Sequence, residues 1–322
     1  MMNDNNLLYA TIFKLHNVVL ASSKKINLAK DVWIETAPEH KGQPVNFSTS
    51  MLMFDRDPLG LGLSRFYKSL IDSDVVMGTQ HFQDEMENNP FDLHDCSYIA
   101  IALSILSDYF LVAGIETFSN NRNTNSPGLG PWTTLFMGKK TNQVIITSTD
   151  EPQLLQIYNF VFQSLRASSH DSAKAKLIFL YLKCIIRQSN QQFTALKMGV
   201  NPLLNERSAI IVNTALFFEH IFTQESENPL DGVDFWNKNF GAICAVKRDD
   251  VNLIMKYRHV LVHDNATRAE KHINDWKGKN GFSDKDAFDN IEETSILMVK
   301  SCMRAIVTNY GSYLSYRATL PK

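Results

Sequence analysis

The feature that most constrains this chain is a change of apolar period near residue 150. From Gln153 to Leu165, the residues Leu154, Ile157, Tyr158, Val161, Phe162 and Leu165 recur at the spacing of an amphipathic helix. Ser148 to Asp150 supply candidate caps before it. Ala173 to Ile186 repeats the theme, and Glu206 to Phe222 carries Ile210, Ile211, Ala215, Phe217, Phe218 and Ile221. Asn237 to Val246 gives a weaker helix. Asp249 and Asp250 cap a run from Val251 to about His263, with the acids placed well for the helix dipole. Ser283 and Asp284 open a last helix, Asp286 to about Tyr313. This succession predicts an all-α bundle over residues 151–322.

Before the switch the apolar clusters are short and rich in β-formers: Leu7-Leu8-Tyr9, Val18-Val19-Leu20, Val32-Trp33-Ile34, and later Met51-Leu52-Met53-Phe54 and Val144-Ile145-Ile146. Between them, Pro90 to Ala113 is too long and too apolar for one strand and is expected to be a helix. Ser119 to Pro131 is crowded with Asn, Gly, Pro and Ser and predicts an exposed loop. The expected architecture is therefore α+β: a β-rich α+β domain over residues 1–150, followed by the helical bundle.

Composition agrees with two folded domains, since 44% of the 322 residues are hydrophobic and only 20% are charged, which excludes disorder for most of the chain. The formal net charge of −2 excludes a broad nucleic-acid-binding surface, so any such contact must be local. Residues 1–150 carry 11 basic and 16 acidic side chains; residues 151–322 carry 21 and 18. Cys96, Cys184, Cys244 and Cys302 form no CxxC pair and are expected to be buried thiols in a reducing compartment. The opening Met1-Met2-Asn3-Asp4 has no secretory basic region, and the apolar stretch Tyr98 to Ile115 is interrupted by Asp108 and serines. These features predict no membrane span and a cytoplasmic location. No repeat or low-complexity tract is visible.

The segment richest in chemistry is Lys256-Tyr257-Arg258-His259-Val260-Leu261-Val262-His263-Asp264-Asn265. It places an arginine, a second polar residue, three apolar residues and then a histidine at the end of an apolar helix. Five residues apart on an ideal helix, Arg258 and His263 sit about 140° apart around the axis, so one copy makes a poor site. Two copies facing each other across a two-fold axis would bring two arginines and two histidines into one cleft.

Arg258-His259-Val260-Leu261-Val262-His263 resembles the Arg-polar-x-x-x-His motif of HEPN domains, and its setting from Leu253 to Asn265 looks like the corresponding helix of the ApeA-like branch. The upstream run Val212 to His220, an apolar helix ending in Glu219, is similar to the first helix of that branch. The resemblance covers residues 150–320 and implies a dimeric, metal-independent endoribonuclease with no cofactor and RNA as substrate. In such a site, two copies of His263 would share proton removal from the 2′-OH and protonation of the departing 5′-oxygen, which a group with a pKa of about 6.5 can do at neutral pH. Arg258 would hold the phosphate, His259 would orient or contact it, and Glu219 would fix Arg258 or His263 from the neighbouring helix. The products would be a 2′,3′-cyclic phosphate and a 5′-hydroxyl. A β-rich first domain before such a bundle resembles the arrangement of ApeA-like defence proteins, which implies a toxin acting in abortive infection, with a phage or cellular trigger met by residues 1–150. Asp264 stands where the pattern often has Gly, and Asn265 where HEPN toxins carry a tyrosine modified by a partner nucleotidyltransferase, so that route of regulation has no support.

Other readings compete. A non-catalytic HEPN bundle could serve only for dimerisation or nucleotide binding. His259 and His263 form an i, i+4 pair suited to zinc, with Asp264, His272 or Glu219 as further ligands, but the Glu of an HExxH motif is missing. Gly60-Leu61-Gly62 lacks the third glycine of a dinucleotide loop and is better explained as a turn after Pro58. Ser126 to Trp132 fits a connector better than a recognition loop, and Phe91 to Cys96 joins a His and a Cys without an arrangement of nucleophile and base. Residues 247–279 hold eight Lys or Arg against five acids, a modest basic surface beside the motif.

Overall fold

A computed structural model describes residues 7–16, 18–22, 25–29, 32–36, 75–82, 94–107, 112–119, 144–166, 173–185, 202–224, 229–262, 266–281 and 287–320. Most of these residues are helical, and the strands are confined to the first of two compact units, Met1–Gln163 and Ser164–Lys322.

In the first unit, strands β1 (Leu7–His16), β3 (Lys25–Ala29), β4 (Val32–Thr36), β5 (Val75–Phe82) and β6 (Val112–Ser119) form an antiparallel sheet in the order β3-β4-β5-β1-β6. The long β1 is an interior strand, paired through Phe13↔Met77 on one side and Phe13↔Ile115 on the other. Period-two patterning is clearest in β3, where Ile26 and Leu28 are buried and Lys25, Asn27 and Ala29 exposed. Short β2 (Val18–Leu20) pairs in parallel with β7 (Val144–Ile146). Helix α1 (His94–Leu106) buries Ile99, Ala102, Leu103 and Ile105, and its Tyr98 meets Phe162 of α2 (Glu151–Arg166) edge to face at 5.8 Å. Asp150 fixes the entry to α2 by accepting from the Thr147 backbone N–H (2.9 Å) and hydroxyl (2.7 Å). The expected helix over Pro90–Ala113 is shorter than its apolar run suggested. Val112 and Ala113 belong to β6 because they pair with His16 and Leu15, and sheet pairing outweighs local pattern. The clusters at Met51–Phe54, Gly60–Gly62 and Ser126–Trp132 lie outside the described residues.

The second unit is built from α3 (Ala173–Ile185), α4 (Pro202–Phe222), α5 (Pro229–Phe240), α6 (Arg248–Val262), α7 (Ala266–Asn280), α8 (Ala287–Thr308) and α9 (Tyr310–Thr319). Helix α4 packs against α3, α5, α6 and α8, which explains why its apolar residues are spread around it rather than along one stripe: Ile210, Ile211, Ala215, Phe217, Phe218, Ile221 and Phe222 are all buried. An aromatic cluster runs from Phe218 through Phe222, Trp236 and Phe240 to Tyr316 with neighbouring ring centroids 4.5–5.8 Å apart. Gly232 lets α5 cross the end of α4, since a Cβ there would stand 1.9 Å from the Phe222 carbonyl oxygen.

The helices depart from the sequence reading in several places, α4 for instance starting at Pro202 rather than Glu206. The helix expected over Asn237–Val246 is instead Pro229–Phe240, and the chain from Cys244 to Lys247 is irregular. There Asn237 Nδ2 donates to the Val246 carbonyl and Asn237 Oδ1 accepts from its N–H, both at 2.8 Å. Helix α7 was not anticipated: it is strongly polar, and of its described side chains only Ile273 is fully buried. It ends at Gly281, whose φ of +72° is the left-handed conformation suited to a helix stop. The final helix breaks at Asn309, where Thr308 and Asn309 side chains bond back to carbonyls of the preceding turn.

Candidate functional site

Helix α6 buries Val251, Ile254 and Tyr257 on one face. That seating settles where its neighbours point. Arg258, one position beyond Tyr257, is half-buried and turned toward α4, whereas Lys256 and His259 are exposed. Arg258 Nη1 donates to Glu219 Oε1 on α4 in a charge-assisted bond, with side-chain exposures of 28% and 33%. The structure therefore brings together Arg258 and Glu219, which are 39 positions apart in sequence. His259, the next residue along α6, is exposed. His263, with Asp264 and Asn265, lies outside the described residues.

The end of α4 that carries Glu219 is held by α9. Arg317 Nη1 donates to the carbonyls of His220 and of Thr223, the latter at 2.7 Å, and so satisfies acceptors that a helix end leaves open. Gln224 Nε2 donates back to the Arg317 carbonyl. Tyr316 Oη reaches the carbonyls of Ile221 (3.2 Å) and Gly232 (3.4 Å). Sequence reasoning missed these supports because Arg317 and His220 are 97 positions apart and no local pattern links them.

His220, next to Glu219, also went unassigned. Burial, with Arg317 and Lys176 nearby, lowers its pKa to about 4, so the ring is neutral at physiological pH. A neutral ring there adds no cation to the Arg258–Glu219 neighbourhood. Across α6, burial raises the Asp250 carboxyl above its ordinary range, opposed by Lys247 and by a hydrogen bond from Trp276 of α7, which ties the two helices together.

Among the described residues, no group of three or more His, Cys, Asp or Glu side chains could hold a metal ion, and the zinc alternative rests on His263 and Asp264 outside them. Cys184, Cys244 and Cys302 are free and buried. Among the described residues no helix is long and apolar enough to cross a membrane. No protein-family model, curated protein or solved structure matches the chain.

Proposed function

We propose that the chain is a metal-independent endoribonuclease of HEPN type that works as a homodimer, cutting RNA through its 2′-OH to leave 2′,3′-cyclic phosphate and 5′-hydroxyl ends. The observation that carries this reading is the Arg258–Glu219 pair: the motif arginine is held from the neighbouring helix by the carboxylate that the family resemblance singled out. Only Nη1 is given to Glu219, and a guanidinium has five donors, so the fork retains capacity for a phosphate. Arg258 would stabilise the negative charge that builds on the phosphate, His259 would contact the phosphate from the exposed side of α6, and His263 from each protomer would act as base or acid. The first unit would meet a phage or cellular trigger and restrain the bundle, in abortive infection in the cytoplasm.

Incubation of the purified protein with total RNA in the presence of a chelator tests this. Wild type should yield cyclic-phosphate ends, while His263→Ala and Arg258→Ala should each lose cleavage by about 10²-fold or more and still unfold cooperatively. Full activity in either variant overturns the reading. One feature favours the alternative, a non-catalytic dimerisation or nucleotide-binding bundle: Glu219 already engages the guanidinium within one protomer, as a purely structural tie would. A dimer that never cleaves RNA supports that alternative.

A further inference from the structure

Cys244 and Cys302 lie 58 positions apart, yet their sulfurs are 3.8 Å apart. Cys302 sits on α8 with no exposed surface, and Cys244 opens the irregular segment before α6 with 7% exposed. That segment is fixed at Cys244 and two residues beyond it. Trp236 Nε1 donates to the Cys244 carbonyl at 2.8 Å, and Asn237 clamps Val246 through both halves of its amide. A disulfide needs sulfurs at about 2.05 Å, so closure requires the two sulfurs to approach by about 1.8 Å. Their chemistry is also asymmetric. A hydrogen bond from the Cys302 thiol lowers the Cys244 pKa, while burial raises that of Cys302.

We propose that Cys244 and Cys302 form an oxidation site that takes hydrogen peroxide and closes to an intramolecular disulfide. Cys244 ionises and its thiolate attacks one peroxide oxygen, breaking the O–O bond to give Cys244 sulfenic acid and hydroxide, which takes up the proton Cys244 released and becomes water. The Cys302 thiol then attacks the sulfenic sulfur; the S–S bond forms, the S–O bond breaks, and the Cys302 proton leaves with the oxygen as a second water. Two thiols supply the two electrons that reduce the peroxide. The resulting ring encloses α6, α7 and most of α8, and thus Arg258, His259 and His263, with Glu219 outside it. This site is independent of whether the chain cleaves RNA.

The test uses the full chain, treated with a small excess of hydrogen peroxide, unfolded, alkylated with iodoacetamide and mapped by mass spectrometry. The expected result is a Cys244–Cys302 cross-linked peptide that dithiothreitol reverses, with Cys184 still alkylated and the oxidised protein melting roughly 10 °C higher. Cys302→Ser, which keeps a hydrogen-bond donor beside Cys244, should leave a Cys244 sulfenic acid that dimedone traps. If that variant does not fold, the wild-type map decides. Alkylation of both Cys244 and Cys302 after peroxide, or loss of Cys184 at the same rate as Cys244, overturns the proposal, the latter because it marks oxidation of unfolded chain.

Discussion

The two ends of helix α6 each carry an arginine paired to a neighbouring helix, and they do so in opposite physical settings. Arg248, at the first residue, reaches Asp234 and Asp231 on α5, the latter at 3.5 Å; Arg248 is 45% exposed and the two aspartates 64% and 68%. Arg258, in the last turns, meets the single carboxylate of Glu219 at 28% and 33% exposure. A cation at a helix N-terminus opposes the dipole, and Asp249 and Asp250 on the same first turn, together with the two α5 acids, offset it. A cation near the C-terminus is favoured by the dipole and needs one partner. The first arrangement is screened by water and spread over several charges. The second concentrates one charge pair where solvent is partly excluded, so its removal is felt more.

The largest expected difference between the two ends is in activity. Arg258→Ala should lower RNA cleavage by about 10²-fold, whereas Arg248→Ala should keep it within about twofold, since only Arg258 belongs to the proposed site. Equal losses would mean that the arginines act through the fold alone. The next is a pH effect at the Glu219 end of α4. The folded His220 pKa of about 4 lies below the unfolded value of about 6.5, so the unfolded chain binds more protons between these values. Stability should therefore be intact above pH 6.5 and fall as pH drops toward 4, by on the order of 2 kcal/mol after allowance for the part of the ring that meets water. In thermal melts across that range, His220→Gln should flatten the slope; an unchanged slope would place the acid sensitivity elsewhere.

How much of this was legible in the sequence differs between the same regions. The apolar residues of Glu206–Phe222 and the capped run from Val251 predicted the helices in which Phe217, Val251 and Ile254 are buried, because burial and period have the same cause. The Glu219–Arg258 meeting was legible only through family resemblance, since nothing local brings positions 39 apart together. Helix α7 was illegible to an apolar-period search because it packs on α6 and α8 with Ile273 as its one fully buried described side chain. Its readable signals were good helix formers from Ala266 to Lys271 and the stop at Gly281. The misplaced α5 had a readable start as well, Pro229 at the first helical position. Its end was set by the Asn237 side chain capturing Val246, a tertiary detail that composition does not encode.

Two smaller effects sharpen the contrast. Arg317→Met removes the donor shared by the His220 and Thr223 carbonyls while keeping an unbranched side chain, and should cost about 1.5 kcal/mol in denaturant melts by leaving part-buried acceptors unpaired. If the melt does not move, water replaces the guanidinium there and α9 does not hold the end of α4. The finest test is a pair of double-mutant cycles. Glu219→Gln with Arg258→Met should show a coupling of about 1 kcal/mol that survives added salt, because both groups are about two-thirds buried. Asp234→Asn with Arg248→Met should show about 0.3 kcal/mol that salt removes, because both groups face water and Asp231 remains to take up the arginine. Couplings of the same size at both ends would mean that burial does not separate these pairs, and the half-buried position of Arg258 would then carry no energetic distinction over the exposed one of Arg248.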